Sequence, residues 1–202
     1  MVVTSTRDRR AERREATRAE ILEAAWEQAR EQGIAGVSLR DIAAKIGMRP
    51  PSLYWYFASK HAIYDAMFAQ GNRVLLDRMA ATTWPEEPRA RLRAVARLFL
   101  DFSAEDAARA QLLFQRTIPD FEPSPESYAL AVEVVEHAKA GLVAAGVREP
   151  AQFDLWTALV SGLASQQAAN DPGGERYVAL IDDAVDMFAD HVLQPRRTRS
   201  RK

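Results

Sequence analysis

The stretch GMRPPSLYWYFASK, residues 47–60, sets four aromatic rings in consecutive positions just behind two prolines. In a helix each residue turns about 100° around the axis, so Tyr54, Trp55, Tyr56 and Phe57 point in nearly every direction. A short helix buries only one face. Leu53 and Phe57, four apart, form the natural core face. Tyr54 and Tyr56 then fall to either side, with Trp55 roughly opposite, and these rings need another partner.

The residues upstream say what that partner is. Thr17 and Glu20 have capping-box spacing, Leu22, Ala25, Trp26 and Ala29 follow with helical period, and Gly33 suits the C′ position. A shorter segment repeats this grammar: Ser38 and Asp41 read as caps, Leu39, Ile42, Ala43 and Ile46 as the apolar stripe, and Gly47 as the stop. Pro50 fits the first turn of a helix, where its missing N–H is not needed. Helix, tight turn and short helix together have the spacing of a helix-turn-helix. Phenol hydroxyls are good phosphate donors, and Arg49, Ser52 and Lys60 surround them with more. Such donors on a helix that follows a tight turn suit a recognition helix lying in a DNA major groove.

Charge distribution agrees with that reading although net charge, −1 over 202 residues, does not. Residues 1–60 hold 11 Lys/Arg against 8 Asp/Glu, residues 61–194 hold 11 against 20, and residues 195–202 add 5 basic residues and no acid. A basic front is joined to an acidic body, a division of labour within one chain. There is no cysteine, which excludes disulfides, thiol catalysis and thiolate zinc sites. No apolar run reaches the ~18 residues of a membrane span, and the first 20 residues have no apolar h-region. A cytoplasmic location and no membrane partner are the expectation.

Proline and glycine clusters at residues 84–88, 118–126, 144–150 and 170–175 divide the remainder into helical segments. Leu92, Val95, Ala96 and Phe99 form one stripe, and Ala131, Val134, Val135 and Ala138 another. Trp156, Leu159, Val160 and Leu163 make a third, and Tyr177, Leu180, Ile181, Ala184, Val185, Phe188 and Val192 the longest. The fold class expected is all-α, with about nine helices and no strand. Its organisation is an arm and three-helix helix-turn-helix module over 1–60, a helical body over 61–194, and a basic, disordered tail over 195–202. The arm from Arg7 to Arg18 either extends the first helix or trails into a groove.

Catalytic and metal chemistry find no support. His61, His137 and His191 lie on different segments without a second ligand at metal spacing. Glu86–Glu87 and Asp182–Asp183 are adjacent and face apart on a helix, which does not suit a general acid and base. No enzyme activity, cofactor or metal is expected.

Residues 37–67, VSLRDIAAKIGMRPPSLYWYFASKHAIYDAM, resemble the N-terminal module of the TetR family of bacterial transcriptional regulators. The departures are Met48 where the family usually has Val and Arg49 where Ser is common. The resemblance implies that Ser38 caps the second helix and contacts a phosphate, and that Arg40 reaches a guanine or nearby phosphate. Pro50, Pro51 and Ser52 would lie against base edges and thymine methyls, with Arg49 altering which bases or phosphates are touched. Tyr54, Tyr56 and Lys60 would grip phosphates, and Trp55 would pack at the edge of the groove.

In the body, the last two stripes flank residues 170–175 and should form an antiparallel pair. The resemblance implies that this pair meets its twofold mate in a four-helix homodimer interface built from Leu159, Gly162, Leu163, Gln166, Ile181, Ala184, Val185 and Phe188. From the residues alone, the alternative that both stripes face the protomer's own core stays open. Phe99, Phe102, Phe114, Phe121 and Trp156, with His137, Gln166 and Gln167, make either plain core or a mainly apolar ligand pocket. The resemblance points to the pocket. The expectation is a homodimeric repressor released from a palindromic operator by a small apolar or aromatic effector. The alternative is a constitutive DNA-binding or architectural protein without an effector.

Overall fold

The computed structural model describes residues 6–193, and side chains from Arg9 onward. The tail at 195–202 lies outside the described residues. Within them the chain forms nine α-helices and no strand: α1 (Thr6–Gln32), α2 (Leu39–Lys45), α3 (Pro50–Leu53), α4 (Lys60–Ala81), α5 (Pro88–Glu105), α6 (Ala107–Phe114), α7 (Pro125–Ala144), α8 (Pro150–Asn170) and α9 (Ile181–Leu193). Short 3₁₀ turns occupy Ile34–Gly36 and Val178–Leu180. The all-α class is as the sequence implies.

The arm extends the first helix. Thr17, expected as an N-cap, lies well inside α1 and donates its hydroxyl to the Arg13 carbonyl at 3.0 Å. Ser38 does occupy the N-cap of α2, but its side chain makes no capping bond. Gln28, buried in α1, braces the start of α2 by other bonds. Its Oε1 accepts the Ser38 N–H at 2.8 Å and its Nε2 donates to Asp41 at 3.3 Å. A bracing group contributed by another helix leaves no local signature in sequence.

Gly47 ends α2 as its position suggests. Its φ is 67°, its N–H donates to the Ala44 carbonyl, and the Met48 N–H reaches back to Ala43 at 2.8 Å. That is a Schellman closure, which needs the left-handed conformation that glycine adopts without strain.

The chain divides into two compact units. Among the described residues, one comprises 6–73 and 106–131, the other 74–105 and 132–193. Packing therefore does not divide at residue 60. Ile63, Tyr64, Met67 and Phe68 of α4, with Ala108 and Leu112 of α6, bury into the same core as Ile21, Trp26, Ile42, Leu53 and Phe57. The three-helix module is too small to bury its apolar surface alone, and these residues complete it.

In the second unit, Leu92, Ala96 and Leu100 of α5 pack with Trp156 and Val160 of α8 and Ile181, Val185 and Phe188 of α9. A smaller cluster gathers Leu75, Met79, Phe102 and Val134. Three arginines one turn apart on α5 face three aspartates on α9. Arg89 pairs with Asp186 and Asp190, Arg93 with Asp186, and Arg97 with Asp182. The stripe on α7 is narrower than its sequence suggests: Val134 is buried, while Val135 is 63% exposed.

Candidate DNA interface

The site is built where α2 meets α3. After the Gly47 turn, Pro50 begins a single helical turn, and the chain then coils through residues 54–56 before α4. The N–H of Phe57 still donates to the Leu53 carbonyl at 2.9 Å. Leu53 and Phe57 are 1% and 3% exposed, whereas Tyr54 and Trp55 are 56% and 82% exposed. Tyr56 is half-buried and leans on the core. The rings divide as the angular argument requires, with one face inside and the bulk of the aromatic surface in solvent.

Arg40, Arg49, Pro50 and Pro51 are also exposed, and Ser38 and Ser52 are half-exposed. Among the described residues neither Arg40 nor Arg49 has an ion-pair partner, so both guanidinium groups are available to an incoming anion. Lys60 is less free. Its ammonium donates to the Ala35 carbonyl at 3.2 Å and sits 5.3 Å from the Tyr64 ring centroid. It ties the start of α4 to the loop before α2. Ser59 caps α4 by accepting the Ala62 N–H at 3.1 Å.

Two further residues bear on this surface without a motif to mark them. Arg18 donates to the Tyr56 carbonyl at 2.6 Å with its guanidinium 4.2 Å from the Phe57 ring centroid, and Arg14 donates to the Trp55 carbonyl at 3.4 Å. The carbonyls after a one-turn helix have no partner within it. Arg14 and Arg18 supply one, holding the aromatic turn from the side of α1.

The residues expected to line an effector pocket are distributed over both units. Phe114 and Phe121 belong to the first unit, where Phe121 packs edge-on against Tyr64 at 5.7 Å. Phe102 is fully buried in the Leu75–Met79 cluster, with the Arg78 guanidinium 5.3 Å from its ring centroid. Phe99 and Trp156 share the other cluster of the second unit, and Trp156 stacks edge-on with Phe188 at 5.1 Å. His137 is exposed, its Nδ1 2.9 Å from the Glu133 carbonyl. Gln166 is exposed and accepts from Asn170 at 2.7 Å.

Gln167 is buried, but as a clamp. Its Oε1 accepts from the N–H groups of Tyr177 and Val178 and its Nε2 donates to the Gly174 carbonyl, holding the loop that precedes α9. Helical period alone does not say which of several clusters an aromatic ring joins. A groove of about 480 Å³ does lie in the first unit, between α1, the aromatic turn and α4, and none of the expected effector residues lines it.

The expected dimer residues also separate. Ile181, Val185 and Phe188 are 0–3% exposed and pack into the protomer's own core, with Ala184 buried beside them. Leu159 and Leu163 are partly buried against that core, whereas Gly162 and Gln166 face outward. The outward apolar residues are Leu155, Leu180 and Met187, at 47%, 45% and 69% exposure. The longest stripe marks the inside of α9.

An exposed, donor-rich turn behind a closed helix-turn-helix is an arrangement suited to lie in a DNA groove. The sequence profile of the bacterial regulatory proteins of the tetR family matches residues 21–67, which run from α1 into α4. Over 204 residues the chain is 27% identical to the HTH-type transcriptional repressor Rv1353c of Mycobacterium tuberculosis, covering 95% of this chain and 76% of that protein. The putative regulatory protein SCO4313 has the same fold, with a TM-score of 0.72 at 20% identity over 89% of this chain and 98% of that one. The multidrug binding protein EbrR, solved with imidazole, gives 0.60 at 23% identity over 90% and 92%. The helix-turn-helix module, residues 21–67, is thus of the tetR type. No helix among the described residues is long and apolar enough to cross a membrane.

Proposed function

We propose that the protein is a homodimeric cytoplasmic repressor that binds a palindromic double-stranded DNA operator through α2 and α3. The observation that carries this reading is the split of the aromatic turn. Leu53 and Phe57 anchor it, while Tyr54 and Trp55 stand exposed, as do Arg40 on α2 and Arg49 at the start of α3. Arg40 and Arg49 reach base edges or phosphates, Pro50, Pro51 and Ser52 lie against base edges, and Ser38, Tyr54 and Tyr56 contact phosphates. Lys60 adds positive charge while its ammonium braces the loop at Ala35. In this division of labour residues 1–60 read DNA, and residues 61–194 pair the subunits and take an effector.

A palindromic site calls for a twofold protein. The outward faces of α8 and α9 fit that role better than their buried stripes. They offer Leu155, Gly162 and Gln166 on one helix, with Met187 on the other and Leu180 in the turn before it.

Release by a small apolar or aromatic effector is the second half of the proposal, and the ligand-bound relative EbrR supports it by analogy of fold. Phe99 and Trp156, which share a cluster, are the residues on which we place it. The competing reading is constitutive DNA binding with no effector. Fluorescence anisotropy on duplexes selected from a randomised library, with and without candidate ligands, decides between them. Selection of an inverted repeat supports the operator reading. Ligands that quench Trp156 emission yet leave DNA affinity unchanged defeat the switch.

A further inference from the structure

Helix α1 runs well past the core it serves. Its first fully buried side chain is Ile21, yet the helix begins at Thr6. From residue 9 to residue 18 the extension carries Arg9, Arg10, Arg13, Arg14 and Arg18 against Glu12 and Glu15, and all but Thr17 and Arg18 are exposed. Helical geometry places Arg10, Arg14 and Arg18 in one row drifting about 40° per step, with Arg13 about 60° to the side of Arg10. Arg18 is committed to Tyr56, Phe57 and Glu15, and Arg14 reaches Trp55. Arg9, Arg10 and Arg13 have no ion-pair partner among the described residues. The row therefore starts at the aromatic turn and leads away from it with its charge increasingly uncompensated.

We propose that this extension is a second DNA-contacting surface, in which Arg10 and Arg13 bind the phosphate backbone flanking the bases read by α3. The proposal rests on the operator reading above. Charge selects the occupant, since a row of solvated guanidinium groups is complementary to phosphate. Position selects it too. Arg14 and Arg18 hold the carbonyls of Trp55 and Tyr56, so the row is continuous with the reading surface. Arg10 to Arg18 spans about 12 Å of helix, comparable with several phosphates at 3.4 Å of axial rise per strand. A membrane surface does not fit. Residues 9–20 include no large apolar side chain, and an interfacial helix needs an apolar face.

The test uses the full-length chain and duplexes that the wild type itself selects from a randomised library. Each duplex is prepared with ten flanking base pairs on either side and again with the flanks trimmed away. Affinity is measured against salt for the wild type, the double variant Arg10→Gln/Arg13→Gln, and Arg10→Lys/Arg13→Lys. On the long duplex the Gln variant is expected to lose about 0.9 from the log–log salt slope per phosphate contact removed, and the Lys variant to keep the wild-type slope. On the trimmed duplex the Gln variant and wild type should coincide. Base preference should be unchanged throughout, which separates a flanking contact from damage to the reading turn. An unaltered slope on the long duplex, with wild-type base preference retained, overturns the inference and leaves the operator reading standing. A wild-type chain that selects no duplex overturns both.

Discussion

Arg93 and Asp186 join α5 to α9 through a forked contact, with the Arg93 Nη2 at 2.6 and 2.7 Å from the two carboxylate oxygens. Arg89 reaches the same carboxylate at 3.3 Å, so Asp186 is the shared centre of the three-rung ladder. Hydrogen bonding from Arg93 is the main cause that holds its pKa below the ordinary carboxylate value. A depressed folded-state pKa contributes stability that is present above the unfolded value, about 3.9, and is lost as pH falls through the folded one. Asp186→Asn should therefore be less stable than wild type at pH 7, and the gap should close as acid protonates the wild-type carboxylate. Urea denaturation at pH 7 and in stepwise acid checks this. Because the ladder is solvent-accessible, the gap at pH 7 should also narrow in 1 M salt.

Gly47→Ala isolates the cost of the turn between α2 and α3. A Cβ there meets nothing within 4 Å, so the penalty is conformational and not steric crowding by neighbours. We expect a loss of about 1–2 kcal/mol in unfolding free energy, the cost of left-handed backbone for an L-residue. Chemical denaturation measures it, and a neutral result would mean that the Schellman closure is not kept in solution.

Gln28→Leu removes the cross-helix brace while preserving approximate volume. The Ser38 N–H loses its acceptor and Asp41 loses its donor. A destabilisation of about 1–3 kcal/mol is expected, as for an unsatisfied polar group. The same measurement on Ser38→Ala should give a much smaller change, because the Ser38 hydroxyl makes no capping bond.

Arg40→Ala should weaken operator binding by about 1–3 kcal/mol and relax preference at one position per half-site, if its guanidinium is bidentate to guanine. Tyr54→Phe should weaken all sequences evenly, since a phosphate contact reads no base. Neither is expected to move the thermal midpoint, because both side chains are largely solvated. Binding to a library of single-base operator variants distinguishes the two patterns.

Met187→Arg and Val185→Arg test which face of α9 meets a second subunit. Met187 is 69% exposed and Val185 is 0% exposed. The first should shift sedimentation toward monomer while the fold persists. The second should unfold the second unit, with a loss of roughly 3–5 kcal/mol for an unpaired buried charge. A Met187→Arg protein that sediments as wild-type dimer would move the interface elsewhere.

Local chemistry alone determined much of this protein. The period of Leu39, Ile42, Ala43 and Ile46, the stop at Gly47 and the start at Pro50 are properties of neighbouring residues, and each appears where it was expected. The inward placement of Leu53 and Phe57 and the outward placement of Trp55 follow from helical angle and the need to bury one face. The TetR resemblance rests on this same local stretch.

Other features depend on what lies across the fold, and only tertiary structure decided them. Gln28 holds the Ser38 N–H and the Asp41 carboxylate because α1 passes beside the start of α2. Arg14 and Arg18 hold the aromatic turn across about 40 residues of chain, a pairing that no local periodicity encodes. The apolar stripe of α9 shows that one face is buried but not against what. The α5 and α8 side chains within the protomer claim it, and the outward face falls to Met187. Phe102 and Trp156 likewise have the same apolar character in sequence, yet they join different clusters. Burial preference is a property of a side chain, whereas the neighbour it is buried against is set by the packing of whole helices.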